Sequence, residues 1–572
     1  MRAVVLTSLV LTVAARSFCT PSNATCWPSP SDLSTFASQL SSVTPRNLIW
    51  PGANAPRVCA VPIYSPNDQP LYGVNTNLQP LYVQTPADTA DTCFVNDFAT
   101  AFCTQAVRNN PLSPDPALIV WPTTVADVQL AVRFANAHNL CVAVAGTGHD
   151  FLNRHSCPDG ASGLLVRMSL FKAIAFNLTD TRALDGGTAA FGAGVVFSEA
   201  HYHASLQNRY IASGWATTVG IVGWSLGGGH GPFAGTAGLG VDNVVDAQVV
   251  LADGRVVTAN AYNAYADLWW ALRGGGGSTW GIITSLTLAL HRLPIGGFTQ
   301  LLVTGTTDFC NTTKLTALVD GHLKWTQTLS AKWSGLAYLQ PTQTTNGSGC
   351  GGTVEYTTLY MYHGDSRVDM AFNQTAAALQ MALATAFGAT NPWSATNFNS
   401  SWAFMQPKAL EPIIPVKYVP GGLQSVLVNR SVVASGQLTT TAVSMLQACP
   451  KTGKCWRQEI YNDITGQLGS PQPSNVAIAP GFRTATIHFL STGWTTTEFA
   501  QAFALGTNSY FSESDNNVTN WPDRYWGANY AKLLAVKTKY DPTTRFGCHQ
   551  CIGYVLLLDD VADEFIWKGR VQ

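Results

Sequence analysis

A histidine that closes a glycine turn is the residue of this chain with the clearest chemistry. The segment reads Leu140-Cys-Val-Ala-Val-Ala-Gly-Thr-Gly-His149-Asp-Phe. Its apolar run predicts a strand that leads into a turn presenting Gly146, Gly148 and His149. Glycines in such a turn allow successive backbone N–H groups to point into one concavity, where they can hold a pyrophosphate.

A second glycine cluster follows about seventy residues later, as Val219-Gly-Ile-Val-Gly-Trp-Ser-Leu-Gly-Gly-Gly-His-Gly231. Its Gly223-Trp-Ser225-Leu-Gly227 part matches the nucleophile elbow of serine hydrolases, which needs a helix directly after the serine. Here the chain continues with glycines and a proline, so the segment is predicted to wrap around a bound group rather than to form an elbow.

Other glycine and metal patterns are incomplete. Arg273-Gly-Gly-Gly-Gly277 lacks the ending of a phosphate loop, and Gly146-x-Gly148 lacks the third glycine and the acidic residue of a dinucleotide fingerprint, so bound NAD is not expected. Glu199-Ala-His-Tyr-His203 is interpreted as a solvated helix face, and Cys548-His-Gln-Cys551 as a structural element. No metal site is expected.

The composition of the chain limits the classes of molecule that it is expected to bind. The formal net charge is −1 and only 11% of the 572 residues are charged, which leaves no basic stripe for nucleic acid. A chain of this length is expected to fold into two packed units around a cleft. A small, neutral or weakly polar substrate therefore fits best.

The N-terminus predicts secretion. Met1-Arg2 and the apolar run Ala3 to Ala15 have the form of a signal peptide and are too short for a membrane span, so neither membrane attachment nor retention in the cell is expected. The 13 cysteines and eight glycosylation sequons suit an oxidising compartment. We predict disulfides between Cys449 and Cys455, between Cys310 and Cys350, and from Cys19 or Cys26 to Cys93 or Cys103.

Several further segments follow in a fixed order. They are the predicted helix Val125 to Ala135, the run Gly238-Leu-Gly-Val-Asp-Asn-Val-Val245, the glycine run after Asp267, and Trp526-Gly-Ala-Asn-Tyr530 to Phe546 near the end. Together with the two glycine clusters, they resemble the flavin-binding domain of the vanillyl-alcohol-oxidase superfamily, in its berberine-bridge-enzyme-like branch.

The resemblance implies an α+β fold with a two-part PCMH-type FAD-binding domain. It also implies a substrate domain in which helices back an antiparallel sheet, and a C-terminal berberine-bridge segment that returns to the flavin domain. On this basis we predict a signal peptide (1–15), a leader (16–113), the FAD-binding domain (114–294), the substrate domain (295–504) and the C-terminal segment (505–572).

For the cofactor, the resemblance implies FAD bound covalently through His149. Many relatives carry a second link through a cysteine, but this chain has Ala216 there, so a single tether is predicted. A small Val219 is typical of relatives that react with dioxygen. Residues expected to hold FAD are Gly146, Thr147, Gly148, His149, Asp150, Thr218, Val219, Gly220, Gly223, Ser225, Gly228, Gly229, Val245, Asn529 and Tyr530.

Hydride transfer from an alcohol requires a group that accepts the hydroxyl proton. In carbohydrate-oxidising relatives, a strand aspartate and a tyrosine before the C-terminal segment act as a pair. The matching candidates are Asp463 and Tyr510, with Glu459 and Glu513 as alternatives.

The sequence thus predicts a secreted, monomeric, FAD-dependent oxidase that takes a hydride from a hydroxyl-bearing carbon of a carbohydrate or phenolic metabolite and produces H2O2 from dioxygen. Three alternatives stay open: a dehydrogenase of the same fold with a quinone-like acceptor, a flavin-loaded binding protein without turnover, and a serine hydrolase acting through Ser225.

Overall fold

The computed structural model describes residues 18–41 and 118–554, together with five short strands between 48 and 83. Within these ranges it omits 21, 153, 156, 159–162, 184–185, 344–349, 389–392, 410–422, 449–452, 455–456, 465–474, 493–495 and 517. The predicted signal peptide, most of the predicted leader and the Cys449–Cys455 pairing fall outside the described residues. No helix in the described part of the chain is long and apolar enough to cross a membrane.

The first sheet contains the strand that precedes the His149 loop. Strands β6, β8 and β7 are parallel, and β1 joins β6 antiparallel. The predicted helix is confirmed as α2, where Thr124 and Asp127 form a capping box and Val128, Ala131, Val132 and Ala135 are fully buried. The elements are α1 (Pro30–Gln39), β1 (Leu48–Ile49), β2 (Cys59–Ala60), β3 (Pro62–Tyr64), β4 (Pro70–Tyr72), β5 (Tyr82–Val83), β6 (Leu118–Val120), α2 (Val125–Ala137), β7 (Val142–Ala145) and β8 (Leu164–Arg167).

The second sheet is antiparallel, with strand order β13-β12-β14-β10-β9. Helix α4 contains the second glycine cluster and packs beside this sheet through Ile221 and Leu226. The elements are β9 (Ile174–Asn177), β10 (Thr188–Gly192), α3 (Phe197–Ser205), β11 (Arg209–Tyr210), α4 (Ile221–Gly227), α5 (Ala234–Ala237), β12 (Val244–Val250), β13 (Val256–Asn260), α6 (Ala266–Leu272), β14 (Ile282–Ala289) and β15 (His291–Arg292).

The third sheet forms the predicted substrate domain, and it is antiparallel and backed by helices as expected. Its strand order is β19-β16-β18-β17-β22-β23-β20, and β21 pairs with β17. The elements are β16 (Phe298–Asp308), α7 (Thr312–Thr326), β17 (Trp333–Gln343), β18 (Gly352–His363), α8 (Met370–Phe387), β19 (Trp393–Phe398), α9 (Ser401–Ala409), β20 (Leu423–Asn429), α10 (Arg430–Ala434), α11 (Gln437–Gln447), β21 (Gly453–Lys454), β22 (Gln458–Tyr461), β23 (Ala485–Thr492) and α12 (Thr496–Phe503).

The two faces of this third sheet have different surroundings because side chains alternate along each strand. Ala337, Ile460 and Phe489 pack into the core shared with α7, α8, α11 and α12. The residues next to each of these along its strand point to the opposite face, where Tyr461 of β22 is paired with His488 of β23. Glu459 and Tyr461 of β22 and His488 of β23 are therefore directed away from the helices, whereas Gln458 faces them and donates to the Ala442 carbonyl of α11.

The C-terminal segment returns to the first sheet, as predicted. It contains α13 (Trp521–Tyr525) and α14 (Tyr530–Tyr540). Buried Lys537 donates to the backbone carbonyl of Thr279 and to Asp541, and Val142 N–H donates to the Arg545 carbonyl. These contacts fasten the segment against the glycine run and β7.

Disulfide pairing is partly as predicted. The Cys310–Cys350 bond is confirmed, and Cys548 pairs with Cys551, which gives that motif a structural role. The prediction for the N-terminal cysteines is wrong, because Cys19 pairs with Cys26 across a turn of seven residues. A bond between Cys141 and Cys157, next to the His149 loop, was not foreseen.

Candidate functional site

One cavity of about 380 Å³ brings most of the predicted residues together. One side is built by the Gly146 to Asp150 loop, by the segment that includes Val219 and Gly223, and by Gly277. The other side is built by Tyr338 and Tyr461 of the third sheet and by the segment from Tyr510 to Glu513. The volume lies in the range of sites that enclose a small molecule.

The glycines of this cavity fit a group held by backbone atoms. A Cβ placed on Gly223 or Gly277 would meet no atom within 4 Å and would project into open space. Gly148 has a φ of 81°, which favours glycine. A Cβ on Gly220 would lie 3.3 Å from the Thr147 side chain. The loops thus leave open space beside the backbone at Gly223 and Gly277, as a group held by backbone atoms requires.

His149 lies at the wall of the cavity, directly after β7. Its Nε2 is 2.9 Å from the hydroxyl oxygen of Thr218. Burial lowers the pKa of His149 to about 3, so the imidazole is neutral at ordinary pH and keeps a lone pair for bonding. Ala216 and Val219 line the same cavity.

Seven predicted cofactor residues do not line the cavity. Gly229 donates its N–H to the Tyr510 hydroxyl oxygen at 3.2 Å, and Asn529 Nδ2 donates to the Ile478 carbonyl at 2.8 Å. These two and their neighbours support the wall from behind. The seven are Thr218, Ser225, Gly228, Gly229, Val245, Asn529 and Tyr530.

Two motifs have structures that differ from the sequence interpretation. Ser225 lies inside α4 and is fully buried, so it is no exposed nucleophile after a strand. The solvated face predicted for Glu199 and His201 is wrong, because both are buried. Glu199 accepts from Val196 N–H and pairs with Lys172, and His201 Nδ1 is 2.8 Å from the hydroxyl of Ser401.

The polar end of the cavity is formed by Tyr510, Glu513 and His230. Asp463 lies behind them, fully buried, and accepts hydrogen bonds from Trp215 Nε1 at 2.7 Å and from His230 Nδ1 at 2.9 Å. Its geometry makes Asp463 a positioning residue for His230 rather than a residue in contact with a substrate.

Charge at this end is concentrated around His230. Its Nε2 is 3.4 Å from a carboxylate oxygen of Glu513. Burial alone would lower its pKa, but Asp463 and Glu513 together raise the pKa of His230 to about 10. Burial and the nearby His230 lower the pKa of His488 well below its usual value, and burial raises the pKa of Tyr510 well above its usual value.

The alternative candidate Glu459 is engaged elsewhere. It forms an ion pair with Arg457 and accepts a hydrogen bond from the Tyr461 hydroxyl. Burial raises its pKa, and Arg457 opposes that shift. Arg457 in turn lies over the ring of Tyr338 at 4.4 Å. This group fixes the aromatic wall of the cavity.

Two histidines of the site were missed at the level of sequence. His230 ends the glycine cluster, and its position directly after three glycines was the available signal. His488 lies in an apolar strand among core residues, and nothing local distinguishes it. The register of β22 with β23 places it opposite Tyr461.

Comparison with known proteins agrees with this architecture. A family model described as FAD binding domain matches residues 116–260, and one described as berberine and berberine like matches residues 509–553. These two matches, in this order, confirm the resemblance to berberine-bridge-enzyme-like members of the vanillyl-alcohol-oxidase superfamily that the sequence motifs indicate. The α+β fold predicted from the sequence is thereby confirmed, and the relatives of this chain are FAD-linked oxidoreductases.

Three relatives illustrate the similarity. The VAO-type flavoprotein oxidase VAO615 of Thermothelomyces thermophilus is 28% identical over 81% of this chain and 80% of its own length. The crystal structure of MtVAO713 from Myceliophthora thermophila C1 superposes with a TM-score of 0.72 at 21% identity, covering 94% of this chain and 97% of its own. A chitooligosaccharide oxidase gives 0.61 at 21% identity, covering 79% and 96%.

Proposed function

We propose that this FAD-linked oxidoreductase is a secreted oxidase that removes a hydride from a hydroxyl-bearing carbon and passes the electrons to dioxygen, forming H2O2. The observation that carries the proposal is that His149, Val219, Tyr510 and Glu513 line a single cavity. When bound, FAD supplies the hydride acceptor and the reaction with oxygen.

The attachment of FAD through His149 alone is part of the proposal. A neutral imidazole held by Thr218 is suited to bonding, and Ala216 at the cavity wall offers no sulfur for a second link. Gly146, Thr147, Gly148, Asp150, Gly220 and Gly223 would hold the cofactor with backbone groups.

The remaining residues can bind and orient a substrate. Because its pKa is raised, Tyr510 keeps its proton and can donate a hydrogen bond to the substrate oxygen. The hydroxyl proton of the substrate is accepted at the end of the cavity that contains Glu513 and His230. Phe151, Trp215, Tyr338 and Tyr461 provide aromatic walls suited to a sugar ring or a phenol.

Replacing Tyr510 by phenylalanine is expected to slow reduction of the flavin by substrate about 10–100-fold, because one hydrogen bond to a charge-developing oxygen is lost. Stopped-flow absorbance under anaerobic conditions measures this rate. Tyr525→Phe is the matched control: Tyr525 is equally buried, bonds to Gln550 and lies outside the cavity lining. Equal rates for Tyr510→Phe and wild type would contradict the role of the hydroxyl.

Val219→Ile tests the route of oxygen. The added methylene at the cavity wall is expected to slow reoxidation of the reduced flavin by dioxygen about tenfold, which is roughly 1.4 kcal/mol in the barrier. Reduction by substrate should change little. An unchanged reoxidation rate would show that dioxygen reaches the flavin by another path.

Substrate and electron acceptor are determined by two assays. Anaerobic bleaching of the flavin over a panel of sugars, alcohols and phenols identifies the substrate class, with oligosaccharides as the first choice because a chitooligosaccharide oxidase shares the fold. Peroxide formation in air then separates an oxidase from a dehydrogenase, which would instead reduce a quinone dye. A yellow protein that no compound bleaches would overturn the oxidase proposal in favour of a binding protein.

Secretion as a glycosylated monomer completes the proposal. The predicted signal peptide and four disulfides among the described residues support it. Expression in a fungal host should place the protein in the medium, and an N-glycosidase should lower its mass. Retention inside the cell would contradict this part.

A further inference from the structure

We propose that His230, His488 and Glu513 form a binding site for one divalent transition-metal ion, of which Zn²⁺ is the best fit, at the polar end of the cavity. The three side chains come from the loop after α4, from β23 and from the segment after α12. One nitrogen or oxygen atom from each lies within 4.8 Å of the others.

The distances suit a tetrahedral ion. His230 Nε2 lies 3.4 Å from Glu513 Oε2, and His488 Nδ1 lies 3.7 Å from the same oxygen. Ligands about 2.0–2.1 Å from Zn²⁺ are roughly 3.3 Å apart in a tetrahedron. The imidazole planes of His230 and His488 are nearly perpendicular, at 87°, with ring centroids 5.2 Å apart. Small side-chain movements would therefore complete the site.

Two buried atoms point to a missing cation. His488 is fully buried, and its Nδ1 has no hydrogen-bond partner among the described residues; the same is true of Glu513 Oε2. When His488 donates from Nε2 to Ser425 at 2.8 Å, its Nδ1 presents a lone pair toward the Glu513 oxygen. In that tautomer two lone pairs face each other in a buried space, and a cation between them would stabilise the arrangement.

The outer contacts resemble those that orient metal ligands. His230 gives its Nδ1–H to the buried carboxylate of Asp463, and His488 is held at Nε2 by Ser425. A carboxylate or hydroxyl on the second nitrogen fixes the ring and its tautomer. Without a metal, an imidazolium at His230 bridges Asp463 and Glu513, but it leaves His488 Nδ1 without a partner.

Three protein ligands leave one coordination position open. Since His230 and Glu513 line the cavity, that position is accessible to a hydroxyl-bearing substrate, whose oxygen a Zn²⁺ ion would bind and whose proton it would acidify. This consequence rests on the proposed function, whereas metal binding itself can be measured independently of turnover.

The test is metal content. Flavin-loaded protein is treated with EDTA, dialysed against micromolar ZnCl2, freed of excess metal and analysed for zinc per flavin. We expect about one zinc per flavin in the wild type. His488→Gln and Glu513→Gln should each lower zinc affinity at least about 100-fold, and Ser425→Ala about 10–100-fold. His203→Gln and Glu355→Gln, which lie outside the site, should retain the wild-type ratio.

The outcomes are distinct. A wild-type ratio below about 0.1, which is one bound ion in ten molecules, would overturn the metal site. Equal zinc content in the wild type and in both ligand variants would also overturn it. Either result would leave a simple imidazolium–carboxylate group. If an active oxidase contains no zinc, the metal inference fails and the proposed function stands. If zinc binds but no substrate bleaches the flavin, the proposed function fails and the site stands.

Discussion

Glu513→Gln is expected to slow reduction of the flavin by substrate about 10²–10⁴-fold, the range typical for loss of a group that assists proton transfer. Two carboxylates line the cavity. Asp150 is paired with Arg154 at 2.9 Å, whereas Glu513 faces His230 at 3.4 Å. The substitution keeps the size of the side chain and removes the charge that the polar end of the cavity requires.

Glu459→Gln is the matched control, because this carboxylate lies outside the cavity lining, where it is engaged by Arg457 and by the hydroxyl of Tyr461. Its reduction rate should stay within about tenfold of wild type. Melting temperature and flavin content of both variants show whether the fold is intact. If Glu459→Gln were slow and Glu513→Gln fast, the assignment of the proton-accepting end would be wrong.

The parts of the site that depend on contiguous residues were predictable from the sequence. A strand, two glycines and His149 follow one another in the chain, so their geometry is set by local backbone rules. Helix α2 was predicted for the same reason, since its periodicity is local. The confirmed Cys310–Cys350 bond joins the ends of a segment that contains α7 and β17.

The parts that depend on distant segments were not predictable. His230 and His488 are 258 positions apart in numbering, and they meet because β23 pairs with β22 in a register that sets His488 opposite Tyr461. A shift of one residue would turn His488 toward the helices. No local pattern encodes that register. Glu199 and His201 were misinterpreted because a helix face with polar residues is usually solvated, whereas here Lys172 and Ser401 provide partners for them.

Asp463 shows how a correct residue can have a different position from the one expected. The sequence suggested a strand carboxylate near the reacting carbon. The structure places it directly after β22, without exposure, between Trp215 and His230. Its charge therefore acts on the cavity through His230. We predict that Asp463 contributes to catalysis as a positioning residue.

His149→Ala should abolish covalent attachment of the flavin completely. Wild-type protein precipitated with acid is expected to stay yellow, whereas the variant should release all its FAD into the supernatant, because Ala216, at the position of the second link, has no atom that can bond to the flavin. Thr218→Val, which removes the hydrogen bond to Nε2, should leave attachment incomplete.

Two control variants are needed to interpret this result. His203→Ala, on the far part of α3 and outside the cavity lining, should keep the flavin bound. Ala216→Cys should add a second link, visible as flavin that remains attached in the His149→Ala background. Free FAD from acid-treated wild-type protein would contradict the tether. In that case the glycine loops and His149 would hold the cofactor by hydrogen bonds and packing alone, and its retention outside the cell would depend on affinity rather than on a bond.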